Sequence, residues 1–243
     1  MAQWGDGERV AVLVHGLTGD PGVWFRVGPA LAARGFRVVA VTLPGHGGTP
    51  APYGWSAQGL AQAVLDQAPA APHLVIGHSL GGYTLSVVLD RLAPRVAVYE
   101  DPVLDLQAAA PALVGYRAQK AWSPDDIAAA YPLWPQGAYD AKHLALQGWD
   151  PAIVDGLGDP AAFPVAPVRE AGAGGEVSST FVLASPSALV PPPVIERLRA
   201  LGHEVVSVEG AGHSVHHDRF EKFMALVDEA LLRAVVGTVP GNR

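Results

Sequence analysis

Val75-Ile76-Gly77-His78-Ser79-Leu80-Gly81-Gly82 joins two periodicities within eight residues. Apolar β-branched residues lead into Gly-x-Ser-x-Gly, and Leu85, Val88, Leu89 and Leu92 then recur at spacings of three to four, which predicts a helix from Leu80 to Leu92. The pattern is strand, sharp turn, helix. A residue on such a turn has a strained backbone and a side chain pushed out beyond the strand end, and Gly77 and Gly81 remove the Cβ atoms that would clash there. Ser79 is the residue presented. Gly82 lets the helix lie close on the strand, and the helix N-terminus offers N–H groups and a partial positive charge to an oxyanion.

Outward from this turn, continuous apolar runs predict strands over Arg9 to Val14, Phe36 to Thr42, His73 to Gly77, Arg95 to Glu100, Ser179 to Ala184 and Glu204 to Val208. Runs without polar alternation suit strands buried on both faces of a parallel sheet. Helices are predicted between them. Pro29 to Arg34 has proline in its first turn and Gly35 as its C-cap; Ser56 caps a helix to about Ala68, with Trp55 and Leu60 as a hydrophobic staple. Val194 to Leu201 closes at Gly202, and Asp218 to about Val235 places Phe220, Phe223, Val227 and Leu231 on one face. Alternating strands and helices give an α/β fold with a mostly parallel sheet covered on both sides. The tail from Gly237 to Arg243 is expected to be disordered.

Pro102 to about Glu176 breaks the alternation. Trp122, Trp134, Trp149, Tyr116, Tyr131 and Tyr139 fall here, half of the six Trp and six Tyr of the chain, among short helical stretches punctuated by proline. Ser123-Pro124 and Asp150-Pro151 look like helix starts. The expected organisation is a core from 1–101 and 177–243 with a helical cap at 102–176, and Ala171 to Gly175 as a hinge between them. The aromatics either line a cavity or form the cap's own small core.

Composition narrows the function. With 243 residues, 49% hydrophobic and 16% charged, the chain supports one substantial buried core. A net charge of −7 without a Lys/Arg stripe argues against a nucleic-acid partner. The absence of cysteine excludes disulfides, thiolate metal sites and a Cys nucleophile. No apolar run approaches the roughly 18 to 20 residues that span a bilayer, and the N-terminus lacks a signal-peptide pattern, so a cytoplasmic protein is expected. Oligomeric state is open.

His15-Gly16 after the first strand, Leu43-Pro44-Gly45-His46-Gly47, Gly77 to Gly82, and Gly212-His213 near the C-terminus together resemble the α/β-hydrolase superfamily, over nearly the whole chain. The resemblance implies Ser79 as nucleophile and His213 as general base. It places the oxyanion-hole N–H donors at Leu17 and Leu80. His216 and His217 read as polar surface or first-turn residues of the last helix, His78 as a local hydrogen-bonder, and His15 and His46 as structural. The family most often takes its acid from the loop after the strand Phe181 to Ala184, yet Ser185-Pro186-Ser187-Ala188-Leu189-Val190-Pro191-Pro192 contains no carboxylate. Some members supply it from the preceding strand end, here Val98-Tyr99-Glu100-Asp101-Pro102. Asp101 is preferred there, with Glu100 as the alternative and a Ser79–His213 dyad as a third possibility.

The metal pattern H-E-x-x-H is absent, Gly77 to Gly82 lacks the P-loop lysine, and no cofactor or metal is expected. The function implied is a serine hydrolase acting on a mostly apolar small-molecule ester, lactone or thioester. The alternatives are a hydrolase-fold binding protein without turnover, kept open by the missing acid, and a lyase or cyclase using the same residues.

Overall fold

Side chains along a strand alternate between faces, and here both faces are apolar. The computed structural model describes residues 1–51, 54–171 and 177–236. Its strands are β1 (Ala2–Trp4), β2 (Arg9–Val14), β3 (Phe36–Val41), β4 (Leu74–His78), β5 (Val96–Glu100), β6 (Ser178–Ser185) and β7 (Glu204–Glu209), in the order β1-β3-β2-β4-β5-β6-β7. All pairs are parallel except β1 against β3. Val12, Val14, Val75, Ala97 and Phe181 face one core, and Ala11, Leu13, Ile76, Val98 and Val182 face the other.

The helices complete the two layers. On the first face α2 (Ala57–Gln67) and α3 (Leu80–Leu92) contribute Leu60, Val64, Leu85 and Val88. On the second, α1 (Val27–Ala32) and a long C-terminal helix contribute Leu31, Phe223 and Val227. Each such fully buried side chain is worth roughly 1.5–3 kcal/mol. Ser56 caps α2 as expected, its hydroxyl accepting the Gly59 N–H at 3.0 Å.

Between β5 and β6 the chain forms α4 (Leu106–Leu113), a 3-10 stretch (Val114–Ala121), α5 (Pro124–Ala130), α6 (Gln136–Gly148) and α7 (Ile153–Gly156). The Ser123-Pro124 start is a capping box in which the Ser123 hydroxyl receives the Asp126 N–H and the Asp126 carboxylate receives the Ser123 N–H. Asp150 instead holds a turn, accepting the Ala152 N–H at 2.9 Å, and the helix waits until Ile153.

Several boundaries differ from the sequence expectation. Helix α1 begins two residues early, with Pro29 in its first turn, and caps at Ala33. Helix α8 (Pro192–Ala200) starts at the prolines themselves, whose missing N–H groups would be unpaired in a first turn anyway. The last helix is two pieces, α9 (Val215–Asp218) and α10 (Phe220–Val236), separated by Arg219 at φ −139°, ψ 54°. Strand β1 was not anticipated, because three residues are too few to show a period. Residues 172–175 of the expected Ala171–Gly175 joint lie outside the described residues, as does the Gly237–Arg243 tail. No helix among the described residues is long and apolar enough to cross a membrane.

Parallel strands bring their carboxyl ends to one edge. His78 pairs with Glu100 and Glu100 with Val182 across β4, β5 and β6. Ser79 and Asp101 each stand one residue beyond. The Ser79 N–H donates to the Glu100 carbonyl at 3.0 Å, and the Asp101 N–H to that of Val182 at 2.9 Å.

Candidate active site

Ser79 has φ 54° and ψ −115°, a conformation that costs a non-glycine residue about 1–3 kcal/mol. Its neighbours fit only as glycines. A Cβ on Gly77 would stand 2.5 Å from the Gly81 carbonyl oxygen, and one on Gly81 would stand 2.1 Å from that of Val14. The Ser79 carbonyl is fixed by the N–H groups of Gly82 at 2.9 Å and Val103 at 3.2 Å.

His213 lies beyond β7, across the same edge. Its Nδ1 is 2.7 Å from Asp101 Oδ2, and Asp101 Oδ1 accepts the Ala184 N–H at 3.1 Å. An ionised carboxylate only accepts, so Nδ1 carries the proton and Nε2 keeps its lone pair. Asp101 is buried while the imidazole is 29% exposed. The His213 backbone is held by His78, whose Nε2 donates to its carbonyl at 3.0 Å, with the two rings 4.6 Å apart. Burial holds His78 well below the ordinary histidine value, so it serves as a neutral strut.

The loop after β2 forms the opposite wall. His15 Nε2 accepts the Leu43 N–H at 3.1 Å, which puts its proton on Nδ1, directed at the Gly16 carbonyl at 2.9 Å. His46 Nε2 lies 2.7 Å from the Leu17 carbonyl and its Nδ1 2.8 Å from that of Pro44. Both rings are buried, and burial lowers their pKa. His46 thereby holds Leu17 beside Ser79, and His15 links Gly16 to Leu43. Leu80 stands at the first position of α3, where helical N–H groups lack intrahelical partners.

Ser79 and His213 open onto two spaces. One, of about 200 Å³, is walled by Val103, Leu106, Ala109, Leu113, Leu157 and Leu189. The other, of about 40 Å³, is lined by Thr18, Tyr116, Tyr131, Trp134, Lys142 and His217 among others. The aromatics of the inserted helices thus divide. Tyr116, Tyr131 and Trp134 face the site, whereas Trp149 is buried in the core. Among the described residues no cluster of three or more His, Cys, Asp or Glu is placed to hold a metal.

Residues 11–226 match the model of the alpha/beta hydrolase family. The chain belongs to that family. Over 98 residues it is 35% identical to the probable esterase PIR7A of Oryza sativa subsp. indica, covering 38% of this chain and 37% of that protein. Over 90 residues it is 41% identical to a pimeloyl-(acyl-carrier protein) methyl ester esterase of Methylococcus capsulatus, covering 37% and 34%. The matches span little more than a third of these relatives' length. An esterase from Exiguobacterium antarcticum superposes with a TM-score of 0.74 at 16% identity, over 95% of this chain and 94% of that one, which shows a shared fold.

Within this alpha/beta hydrolase the two neighbouring carboxylates have different partners. Asp101 meets His213. Glu100, fully buried, receives the His216 backbone N–H at 2.7 Å and faces His216 Nδ1 at 2.8 Å from both its oxygens. His216 and His217 are therefore not surface residues, being 2% and 4% exposed. The short α9 turns them inward before the break at Arg219. Burial raises Glu100 to about 7 and lowers His216, so one proton shared in a neutral pair is the arrangement that avoids buried charge.

A carboxyl raised from about 4.3 when unfolded contributes stability that is complete below that value and is lost as pH rises through about 7. Glu100→Gln, which keeps the neutral shape, is expected to gain roughly 1–3 kcal/mol on the wild type between pH 5 and pH 8. Thermal melts at the two pH values test this, and a pH-independent difference would contradict the neutral pair. Lys142 was also missed, although a sequence signal existed: it shares one face of α6 with Ala138, Ala145 and Leu146, an apolar stripe with a lysine in it.

Proposed function

We propose that the chain is a serine hydrolase that cleaves small, mostly apolar esters or thioesters through an acyl-enzyme. The observation carrying this reading is the 2.7 Å contact of Asp101 with His213 Nδ1 beside a serine held at φ 54°. It supplies the acid missing from the loop after β6 and leaves Nε2 as the acceptor a serine hydroxyl needs.

In this reading Ser79 Oγ attacks the substrate carbonyl as its proton passes to His213 Nε2. The imidazolium is stabilised and oriented by Asp101. The oxyanion is received by the N–H groups of Leu17 and Leu80, which the His46 contact and the start of α3 hold in advance of reaction. As the tetrahedral intermediate collapses, His213 returns the proton to the leaving oxygen or sulfur. Water, deprotonated by the same Nε2, then releases the acid and restores Ser79.

The helices from 102 to 171 act as the cap, with α4 and Leu157 forming the apolar wall. The cavity of about 200 Å³ suits a short acyl or ring group over a long lipid chain. The esterase names of two partial relatives agree with this chemistry. The test is labelling with a fluorophosphonate probe read by intact mass: rapid single-site modification is expected, and a folded protein that stays unlabelled would end the hydrolase reading.

A further inference from the structure

Lys142 reaches from α6 to the loop beside Ser79 and is 5% exposed. Its ammonium has three donors. One is directed to the Thr18 carbonyl at 3.2 Å and another to the Thr18 hydroxyl, both neutral oxygens. Among the described residues Lys142 has no further hydrogen-bond acceptor and no carboxylate within ion-pair distance. Lys120 shows what a lysine with a purely structural task looks like on the same helices: its three donors meet the carbonyls of Leu146, Gln147 and Trp149 at 2.9, 2.8 and 2.7 Å, at the C-terminal end of α6.

A buried cation without a counter-charge is unfavourable. Accordingly, desolvation pulls Lys142 down to about 7. Holding one carbonyl and one hydroxyl of Thr18 does not require a charge, since a glutamine amide would do it. The described residues lining the small space beside Ser79 include no Asp or Glu, and Lys142 is the one Lys or Arg among them. Tyr116 and Tyr131 line the same space, and burial raises both phenols, keeping them as O–H donors. At about 40 Å³ against about 200 Å³, this space is much the smaller of the two that meet at Ser79 and His213, so it suits a compact polar group.

We propose that the substrate carries a carboxylate that occupies this small space, with Lys142 as its counter-ion and Tyr116 and Tyr131 as further donors. The inference rests on the serine-hydrolase reading and narrows it. The substrate is an ester or thioester with an apolar part in the 200 Å³ space and an acid group a few bonds from the reacting carbonyl. Lys142 is thus a specificity-determining residue.

The test compares matched esters with the wild type, Lys142→Met and Lys142→Gln. p-Nitrophenyl hydrogen glutarate against p-nitrophenyl pentanoate places the acid on the acyl side; the butanoate ester of glycolic acid against propyl butanoate places it on the leaving side. In one of the pairs the wild type is expected to favour the acid at least tenfold in kcat/KM. In both variants that ratio is expected to fall at least thirtyfold, mainly through KM. A wild type preferring the neutral ester in both pairs would overturn the inference. So would variants in which acid and neutral ester fall together and leave the ratio unchanged, the signature of a lysine that only holds Thr18. Fluorophosphonate labelling of all three proteins separates the two levels: an unlabelled wild type defeats the hydrolase reading and this inference with it, while a labelled wild type without acid preference defeats only this inference.

Discussion

Ser79→Ala is expected to lower kcat toward esters by on the order of 10⁶, the scale seen when a triad serine is removed. The loss should appear in kcat with KM little altered, because Leu17, Leu80 and both cavity walls remain. The variant should also fold. Alanine at φ 54° is no more strained than serine, and the bonds that define the turn run through the Ser79 backbone to Glu100, Gly82 and Val103. Steady-state kinetics on an activated ester, with circular dichroism melts as control, decide the matter. A fall of less than tenfold would assign the chemistry to another group. Fluorophosphonate labelling should vanish in the same variant.

Asp101→Asn is expected to cost about 10⁴ in kcat, or about 5.5 kcal/mol of barrier. The Ala184 N–H fixes the sign of this effect. It needs an acceptor, so the asparagine carbonyl turns to Ala184 and its NH₂ faces His213 Nδ1. An NH₂ there selects the tautomer with the proton on Nε2, which then cannot accept from Ser79. Shape and burial are retained, so melting should move little while turnover collapses. Glu100→Gln is the informative control: Glu100 meets His216 and not His213, so its substitution changes the pH dependence of stability far more than it changes kcat. If the two variants were equally inactive, the division of labour between adjacent carboxylates would be wrong.

What was legible in the sequence is what local chemistry determines. Each buried strand announces itself as an apolar run, and the turn at Ser79 needs glycines at fixed offsets. His213 is singled out by the resemblance, from its place between the last strand and the last helix, and the structure sets it against Asp101. Asp101 is preferred over Glu100 on the resemblance, because the loop after Phe181 to Ala184 holds no carboxylate; in the structure Asp101 meets His213 Nδ1 and Glu100 meets His216. The contacts that were not legible span the chain. Glu100 and His216 are 116 residues apart, and no periodicity shows that α9 ends at Asp218 and turns two histidines inward. Lys142 and Thr18 are 124 residues apart, joined only once the helices after β5 fold over the loop after β2. Helix starts at Pro192 and Ile153 were misplaced because a proline or an aspartate marks a first turn and a simple bend equally well.

In the proposed reading the acid is Asp101, just past the end of β5, and this changes what the loop after β6 is free to become. Pro186, Ala188 and Leu189 border the larger cavity beside His213, while the hydrogen bond that Asp101 receives from this side comes from the Ala184 N–H, within β6. In that reading residues 187 to 189 are expected to tolerate exchange without disturbing proton transfer, whereas Val190 is buried in the core and is not. In a directed-evolution library, diversity placed there would explore acyl-group selectivity while nearly every member kept a working nucleophile.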